Sequence, residues 1–422
     1  MKKQLFLALV ILPLLSNAAF EDHFHMKTLR VDYYHSGDHQ SELYAFDEAR
    51  IEPWWGGSKV NLIDTFYYGH HYFKVFETAG DSLIYSRGYS SLFREWQTTA
   101  EARTTTRSFT ETVVCPLPKN PCRIVFYSRD GEGVLQEKFT WDYDPDNYFI
   151  SQERHMEYPV FDAYTSGASD KCIDIVVLPE GYTEAEMGTF IGDVIAFSKT
   201  LFQFSPYDKY ADKFNIRGVL APSHGTGSDI PADTVWTSTL MNTSFYTFDS
   251  ERYCMTYDNK SVRDLASNAP YDQIYILVNS GKYGGGAIYN YYSVSVNSNR
   301  AAAKIFIHEF GHGFAGLGDE YYNAEVAYSE FYPLHTEPWE PNLTTLTDFE
   351  TKWKHMMHDS IPVPTPMTEE YRHITGVFEG GGYASKGVYR PGYDCLMNTF
   401  RVDQFCEACQ EAIEKMILFY IE

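Results

Sequence analysis

Two histidines and a glutamate in the last third of the 422-residue chain have the types and spacing of a metal-assisted hydrolytic centre. The window Ala301–His312 reads AAAKIFIHEFGH and favours a helix, with alanines in its opening turns. Positions four apart lie on one face of a helix, so His308 and His312 can direct both imidazoles at one ion. Glu309 sits beside the first histidine, where its carboxylate can accept a proton from water. We therefore expect one catalytic zinc ion held by His308 and His312, with Glu309 as the general base.

The residues that follow the helix offer candidates for a third metal ligand. The glycine-rich stretch GFAGLG should break the helix just past His312 and turn the chain back. A catalytic zinc site takes three protein ligands and keeps one position open, and carboxylate oxygen is an accepted ligand. Asp319 is the preferred third ligand because it comes first after the turn. Glu320 is the alternative, and a downstream glutamate such as Glu330 or Glu337 is a further one.

The elements that must position these residues belong to an exported chain. Residues 1–19 read as a secretory signal peptide, with Lys2 and Lys3 at its start, an apolar run at Leu5–Leu15 and a small-residue cleavage site. The apolar run is too short to span a bilayer, so we expect cleavage and no membrane insertion. The mature protein is predicted to be periplasmic, at the cell surface or extracellular.

Composition narrows the classes of function. Hydrophobic residues make up 44% of the chain, which is enough for sizeable cores, and the length favours two or three domains. The formal net charge of −23 argues against binding to nucleic acid or to an anionic membrane surface, because both need clustered Lys and Arg.

Residues 20–150 have the pattern of a small antiparallel β-sandwich. Two runs, Arg123–Tyr127 and Val134–Phe139, flank a turn at Asp130-Gly131 and predict a hairpin. Further β-rich runs are expected at residues 60–68, 72–76 and 108–114. The adjacent His70 and His71 would point to opposite faces of a strand, so we interpret them as ordinary strand residues rather than joint metal ligands.

Residues 151–422 predict the catalytic domain, in an α+β chain. A polar, turn-rich segment at residues 142–147 is the expected boundary between the N-terminal domain and the catalytic domain. Beyond it, strands are expected at residues 173–178, 214–220 and 273–279, and a helix from Thr183 to Phe204. Thr183 and Glu186 have the spacing of a capping box at the start of that helix. The run Gly284–Gly286 is either a flexible loop or an edge strand that a substrate backbone can approach.

Export permits disulfides, and the chain has seven cysteines. The pairings expected are Cys115 with Cys122, Cys172 with Cys254, and Cys395 with either Cys406 or Cys409. The Cys406-x-x-Cys409 spacing also suits zinc, but a site of four thiolates needs a second such pair, which the sequence lacks. We therefore favour a structural disulfide at the C-terminal trio.

Several segments resemble one known family. The stretch from His308 to Tyr321, HEFGHGFAGLGDEY, is similar to the active-site signature of the IgA peptidases, which are metzincin-like bacterial zinc endopeptidases. Further segments that resemble the family are VLPEGY from Val177, YGGGAIYN from Tyr283, YRPGYDCLMN from Tyr389 and FCEAC from Phe405. The likeness covers residues 160–422, with a looser match in the N-terminal third.

The resemblance implies a metzincin-like catalytic domain behind an N-terminal β domain. It implies that His308, His312 and Asp319 bind zinc and that Glu309 is the general base. Met397 would lie in the turn beneath the metal. The general metzincin motif places a glycine seven residues after the first histidine and its third ligand ten after. Here Gly316 and Asp319 each come one residue later.

The function these residues predict is a secreted zinc endopeptidase that acts on protein or peptide substrates. The alternative is a surface protein that binds glycan or protein and uses the zinc site only for structure. A structural zinc site has four closed ligands, so the free carboxylate of Glu309 favours catalysis.

Overall fold

The computed structural model describes residues 20–322 and 332–422. The predicted signal peptide, residues 1–19, lies outside the described residues. The first seven strands are β1 (Phe24–Gly37), β2 (Glu42–Glu52), β3 (His71–Glu77), β4 (Leu83–Tyr89), β5 (Arg107–Pro118), β6 (Cys122–Arg129) and β7 (Leu135–Tyr143). They form two antiparallel sheets with strand orders β2-β1-β5 and β4-β3-β6-β7.

The two N-terminal sheets pack on one shared hydrophobic core, to which β1 contributes Val31, β3 contributes Val75 and β6 contributes Ile124. Alternate residues of β1, β5 and β6 face this core, as expected of a sandwich. The predicted hairpin is confirmed as the antiparallel pair β6–β7.

The strand predicted at residues 60–68 is wrong, apart from an isolated bridge at Ile63. The segment is irregular because the carboxylate of Asp64 binds backbone N–H groups in place of a strand ladder. Its oxygens accept from the amides of Phe66 and Gly88 at 2.7 and 2.8 Å.

The remaining strands are β8 (Val160–Tyr164), β9 (Ile173–Glu180), β10 (Phe214–Val219), β11 (Gln273–Val278), β12 (Gly285–Ile288), β13 (Tyr292–Val296), β14 (Phe378–Gly381) and β15 (Ala384–Arg390). Six of them form a mixed sheet of order β12-β13-β11-β9-β10-β8, and β14–β15 is a separate hairpin. The inner strands are parallel, and both edge strands are antiparallel to their neighbours. The central strand β9 is buried along its whole length, as its continuous apolar run predicts.

The helices are α1 (Phe20–His23), α2 (Leu92–Gln97), α3 (Met187–Leu201), α4 (Asn259–Ala266), α5 (Ala302–Ala315) and α6 (Glu407–Ile421). Helices α3, α5 and α6 cover one face of the mixed sheet, where Ile175 and Val177 point. Helix α4 and the N-terminal helix α2 cover the other face, where Val176 and Leu178 point. The capping box of Thr183 and Glu186 is confirmed, and one 3-10 turn precedes α3.

The chain is thus mixed α+β, with several antiparallel sheets and a separate N-terminal domain. Among the described residues, no helix combines the length and the apolar character needed to cross a bilayer.

All seven cysteines are free thiols, so the disulfides predicted from the sequence are not formed. The thiol of Cys122 donates to the carbonyl of Asn120 at 3.2 Å instead of meeting Cys115. Cys254 lies beside the hydroxyl of Ser228, in the core between the mixed sheet and α4, and not beside Cys172.

Candidate metal centre and its cavity

Helix α5 brings the two histidines of the motif together with Asp319. The Nε2 atoms of His308 and His312 are 3.1 Å apart. The Oδ1 atom of Asp319 lies 3.1 Å from the Nε2 of His308 and 3.3 Å from that of His312. Three donor atoms therefore converge from one helix and from the chain that returns after it.

The second nitrogen of each imidazole sets the direction of its lone pair. The Nδ1 atom of His308 donates to the carbonyl of Leu396 at 3.1 Å, and that of His312 donates to the carbonyl of Leu317. A neutral imidazole that donates from Nδ1 carries its lone pair on Nε2. Both lone pairs therefore face Asp319 Oδ1, which receives no hydrogen bond within the described residues.

This arrangement fits a metal ion. Two lone pairs and a buried carboxylate oxygen repel one another unless a cation lies between them. Ligand atoms at about 2.05 Å from a tetrahedral zinc are about 3.3 Å apart, close to the three observed separations. Two imidazoles and one carboxylate are also a ligand set that zinc accepts.

The charges at the centre favour the same conclusion. Burial acts to raise the pKa of the Asp319 carboxyl group, but the neighbouring His312 and His308 hold this pKa well below its usual range. Burial also acts against a charged His312, yet Asp319 and Glu309 raise its pKa to about 9. The negative charges of Asp319 and Glu309 therefore favour a positive charge at this position.

The end of α5 differs from the expected position. The helix continues three residues past His312 and ends at Gly316, whose positive φ of 65° makes it the left-handed cap. Gly313 is inside the helix, where a Cβ would lie 2.2 Å from the hydroxyl of Ser293 on β13. Glycine at position 313 therefore lets α5 approach the sheet, and it does not break the helix. Gly316 alone makes the turn that returns Asp319 to the histidines.

Asp319 and Glu320 point into different sites. Asp319 meets the histidines, whereas Oε1 of Glu320 accepts from Nδ2 of Asn342 at 3.0 Å and lies among cysteines. Glu337 binds the backbone amides of Thr347 and Asp348, away from the histidines. Glu330 lies outside the described residues.

Tyr383 holds the second oxygen of Asp319, and the sequence offered little sign of this role. Its hydroxyl donates to Oδ2 of Asp319. Gly382 and Tyr383 form the two-residue turn of the β14–β15 hairpin, with φ of 54° and 64°. The Gly382 amide also donates to the Asp319 carbonyl at 2.8 Å, so the turn is fixed to the ligand. Positive φ at a tyrosine is uncommon, which agrees with a functional position.

Glu309 lies beside the three donors, in the wall of the cavity. Burial raises the pKa of its carboxyl, and His308 and His312 partly offset that rise. A base with a raised pKa is better matched to proton transfer near neutral pH. A Cβ on Gly285 would lie 3.2 Å from Oε1 of Glu309, so the glycine of β12 leaves room for this carboxylate.

The donors open into a cavity of about 390 Å³, within the size range of ligand sites. The N-terminal domain forms part of its wall through His70, Ser90, Ser91 and Glu95. His70 packs edge-on against Trp339, with 5.8 Å between ring centroids, and does not join the metal donors. Burial raises the pKa of Glu95 to about 7, and its Oε2 accepts from the hydroxyl of Tyr253.

Strand β12 forms another wall and is an edge of the mixed sheet. The amide and carbonyl of Gly285 pair outward with Arg252 and Cys254 at 3.1 and 3.2 Å. Outward groups alternate along a strand, so those of Ala287 also point away from β13. They have no hydrogen-bond partner among the described residues. Gly284 and Gly286 are needed for packing, because a Cβ would meet Phe245 in one case and Tyr253 in the other.

Met397 is fully buried under the centre. A Cβ on Gly311 would lie 3.3 Å from its sulfur, so Met397 packs directly against the helix that carries the histidines. The preceding carbonyl, of Leu396, is the partner of His308.

The chain is a two-domain α+β protein with a metal-compatible His/Asp centre at the base of a cavity. Two family models then match the chain. One, described as IgA Peptidase M64, matches residues 162–374 and 367–417, and the other, described as Peptidase M64 N-terminus, matches residues 19–140. The chain belongs to the IgA peptidase M64 family. It is therefore a peptidase, and its substrates are proteins or peptides. No curated protein matches the chain.

Proposed function

We propose that this peptidase is a zinc-dependent endopeptidase, exported by its N-terminal segment, with His308, His312 and Asp319 as the zinc ligands and Glu309 as the general base. The observation that carries the proposal is the convergence of three donor atoms, 3.1–3.3 Å apart, beside a free carboxylate. One zinc ion is expected there. A centre with three protein ligands leaves a position open for reaction.

A bound zinc ion supplies Lewis acidity, which polarises a peptide carbonyl and makes water a nucleophile near neutral pH. Glu309 accepts the proton of the attacking water and returns it to the leaving amine. The carbonyls of Leu396 and Leu317 accept from the Nδ1 atoms of His308 and His312, which orients both Nε2 atoms towards the metal position. The hydroxyl of Tyr383 donates to the Asp319 carboxylate and orients its other oxygen towards the histidines.

The substrate is expected to lie along β12 as an extended chain. The outward amide and carbonyl of Ala287 pair with its backbone, by the same strand addition that many peptide-binding proteins use. This pairing depends on backbone and not on side chains, so it orients the scissile bond without selecting a sequence. The cavity wall, which includes Glu95 of the N-terminal domain, then contributes to side-chain selection.

The catalytic domain is proposed to be metzincin-like. Two observations support this proposal: Met397 packs beneath α5, and the third ligand follows a glycine turn. The departure from the general motif is the one-residue delay of Gly316 and Asp319. The turn accommodates it, because Gly316 is the residue with the left-handed backbone.

The substitution Glu309→Gln tests the proposal. The amide keeps the size of the side chain but cannot accept the proton, so kcat/KM should fall by about 100- to 10,000-fold while zinc content stays at the parent value. Cleavage of a proteome-derived peptide library, read by mass spectrometry, and metal analysis are the two measurements. Glu95→Gln is the matched control, because it neutralises another carboxyl of the same cavity and should change the rate only a few-fold.

Two outcomes would overturn the assignment. Parental cleavage by Glu309→Gln would rule out Glu309 as the general base. The ligand set has its own test in Asp319→Asn, which should lose both zinc from the centre and hydrolysis. Glu337→Gln should lose neither, whereas a downstream glutamate ligand at this position would reverse the two results.

A further inference from the structure

A second cluster of metal-binding side chains lies away from the cavity wall, behind Asp319. It consists of Glu320, Cys395, Cys406 and Cys409, whose ligand atoms all lie within 4.8 Å of one another. We propose that these four residues bind a second zinc ion, which is structural. The proposal does not depend on the assignment of the catalytic centre.

The spacings match tetrahedral zinc. Thiolates bind zinc at about 2.3 Å, so two of them on one ion are about 3.8 Å apart. The sulfurs of Cys395 and Cys409 are 3.8 Å apart. Oε1 of Glu320 lies 3.2 Å from the sulfur of Cys409 and 3.9 Å from that of Cys406. A sulfur and a carboxylate oxygen on one zinc ion are about 3.5 Å apart, between these two values.

The carboxyl group of Glu320 is a second, independent observation that points to a bound cation. The residue is fully buried, and its Oε2 has no hydrogen-bond partner among the described residues. An unpaired carboxyl oxygen in the interior is costly unless a metal or a donor satisfies it. A dication bound to this carboxyl group would balance its buried negative charge.

The surroundings suit thiolates. Cys406 is the N-cap of α6 and Cys409 lies in its first turn, where the helix dipole stabilises negative charge. The amide of Cys406 donates to the sulfur of Cys395 at 3.3 Å. Three thiolates favour a soft or borderline metal over magnesium or calcium, and four protein ligands describe a structural zinc site.

The site would join three segments that are distant in sequence. Glu320 follows the zinc-ligand turn, Cys395 precedes Met397, and the other two cysteines begin α6. Because Asp319 and Glu320 are neighbours, an ion on Glu320 fixes the backbone that presents Asp319. This last step rests on the proposed function: the second ion positions Asp319, the third ligand of the catalytic zinc.

Metal analysis of the purified full chain tests the second site. The parent should hold two zinc ions, and the double variant His308→Ala/His312→Ala should keep one. X-ray absorption at the zinc edge of that double variant should show sulfur neighbours at about 2.3 Å. This variant leaves the cysteine cluster intact, so the test does not require a cysteine variant to fold.

Cysteine substitutions give the complementary result. Cys406→Ser/Cys409→Ser should lose one of the two zinc ions, while the matched pair Cys115→Ser/Cys122→Ser should lose none. Seven reactive thiols are expected after denaturation with a chelator. Five, with Cys395 joined to Cys406 or Cys409, would mean a disulfide and would overturn the site.

The two zinc assignments fail in different ways. A parent with one zinc and a histidine variant with none would refute the second site and leave the first. A histidine variant that keeps the full parental zinc content would refute the first site and leave the second.

Discussion

Replacing Tyr383 by phenylalanine tests whether the hairpin turn controls the affinity of the centre for zinc. The hydroxyl of Tyr383 donates to Oδ2 of Asp319, and Asp319 is 7% exposed. Tyr383→Phe leaves this carboxylate oxygen without its donor in a buried site. A hydrogen bond to a charged group contributes about 1.5–3 kcal/mol, which corresponds to roughly 10- to 150-fold in an equilibrium constant. Losses of about 10- to 100-fold in metal affinity are usual for partners of this kind.

The assay is the rate of hydrolysis in buffers of controlled free zinc, with a quenched fluorescent peptide chosen from the sequences that the parent cleaves. The rate follows the occupancy of the catalytic centre, because hydrolysis takes place only there. We expect the zinc concentration for half-maximal rate to rise about 10- to 100-fold in Tyr383→Phe. The maximal rate at saturating zinc should stay within a few-fold of the parent.

The matched control is Tyr389→Phe, on the strand that follows the same turn. The ring of Tyr389 packs beside Phe349 and Trp353. Removal of the Tyr389 hydroxyl should leave the zinc dependence of the hydrolysis rate unchanged. Coincident zinc dependences for Tyr383→Phe and the parent would refute the reasoning. A lower maximal rate at an unchanged midpoint would also refute it, because the hydroxyl would then act in the chemistry and not on the ligand.

Three further predictions concern the edge strand, the zinc helix and a buried carboxyl. Ala287→Pro removes one outward N–H from β12 and should lower kcat/KM about 5- to 10-fold without unfolding the chain, as checked by kinetics and circular dichroism. Gly313→Ala should destabilise the protein by about 1–3 kcal/mol in urea unfolding because of the contact with Ser293, and adding Ser293→Ala should restore much of the loss. Burial raises the pKa of Glu52 from 4.5 to about 7, against the opposing effect of Arg30. The folded state then binds the proton more tightly than the unfolded state, so this group costs up to about 3 kcal/mol of stability as pH rises from about 4.5 to 7. Glu52→Gln should lack that fall, and parallel pH profiles of the free energy of unfolding would contradict the prediction.

Local spacing was enough to predict the elements whose physics is local. The i, i+4 relation of His308 and His312 follows from helix geometry, and the capping box of Thr183 from three-residue spacing. The apolar run of β9 identified the buried centre of the mixed sheet. Asp319 could be preferred over Glu320 only by its order after the turn, and in the structure the two carboxylates enter different clusters.

Contacts between segments that are distant in sequence could not be predicted from local sequence patterns. Tyr383 reaches Asp319 across 64 positions, and Glu95 enters the cavity from another domain. The C-terminal cysteines lacked a second thiolate pair, and their fourth partner is a glutamate 75 or more positions away in sequence. The end of α5 was predicted too early because the sequence alone does not distinguish a glycine that permits close packing from a glycine that caps a helix. In the structure, Gly313 packs against Ser293, whereas Gly316 has the left-handed backbone of a cap.

Removal and return of zinc to the parent protein test whether the centre at His308, His312 and Asp319 binds the catalytic ion. The protein is depleted with a chelator, the chelator is removed, and cleavage of the peptide library is measured before and after zinc is added back. The proposed centre at His308, His312 and Asp319 predicts that cleavage is lost on depletion and returns with zinc. It also predicts that Glu309→Gln, reloaded in the same way, stays inactive. Full cleavage by metal-free parent protein would contradict the account.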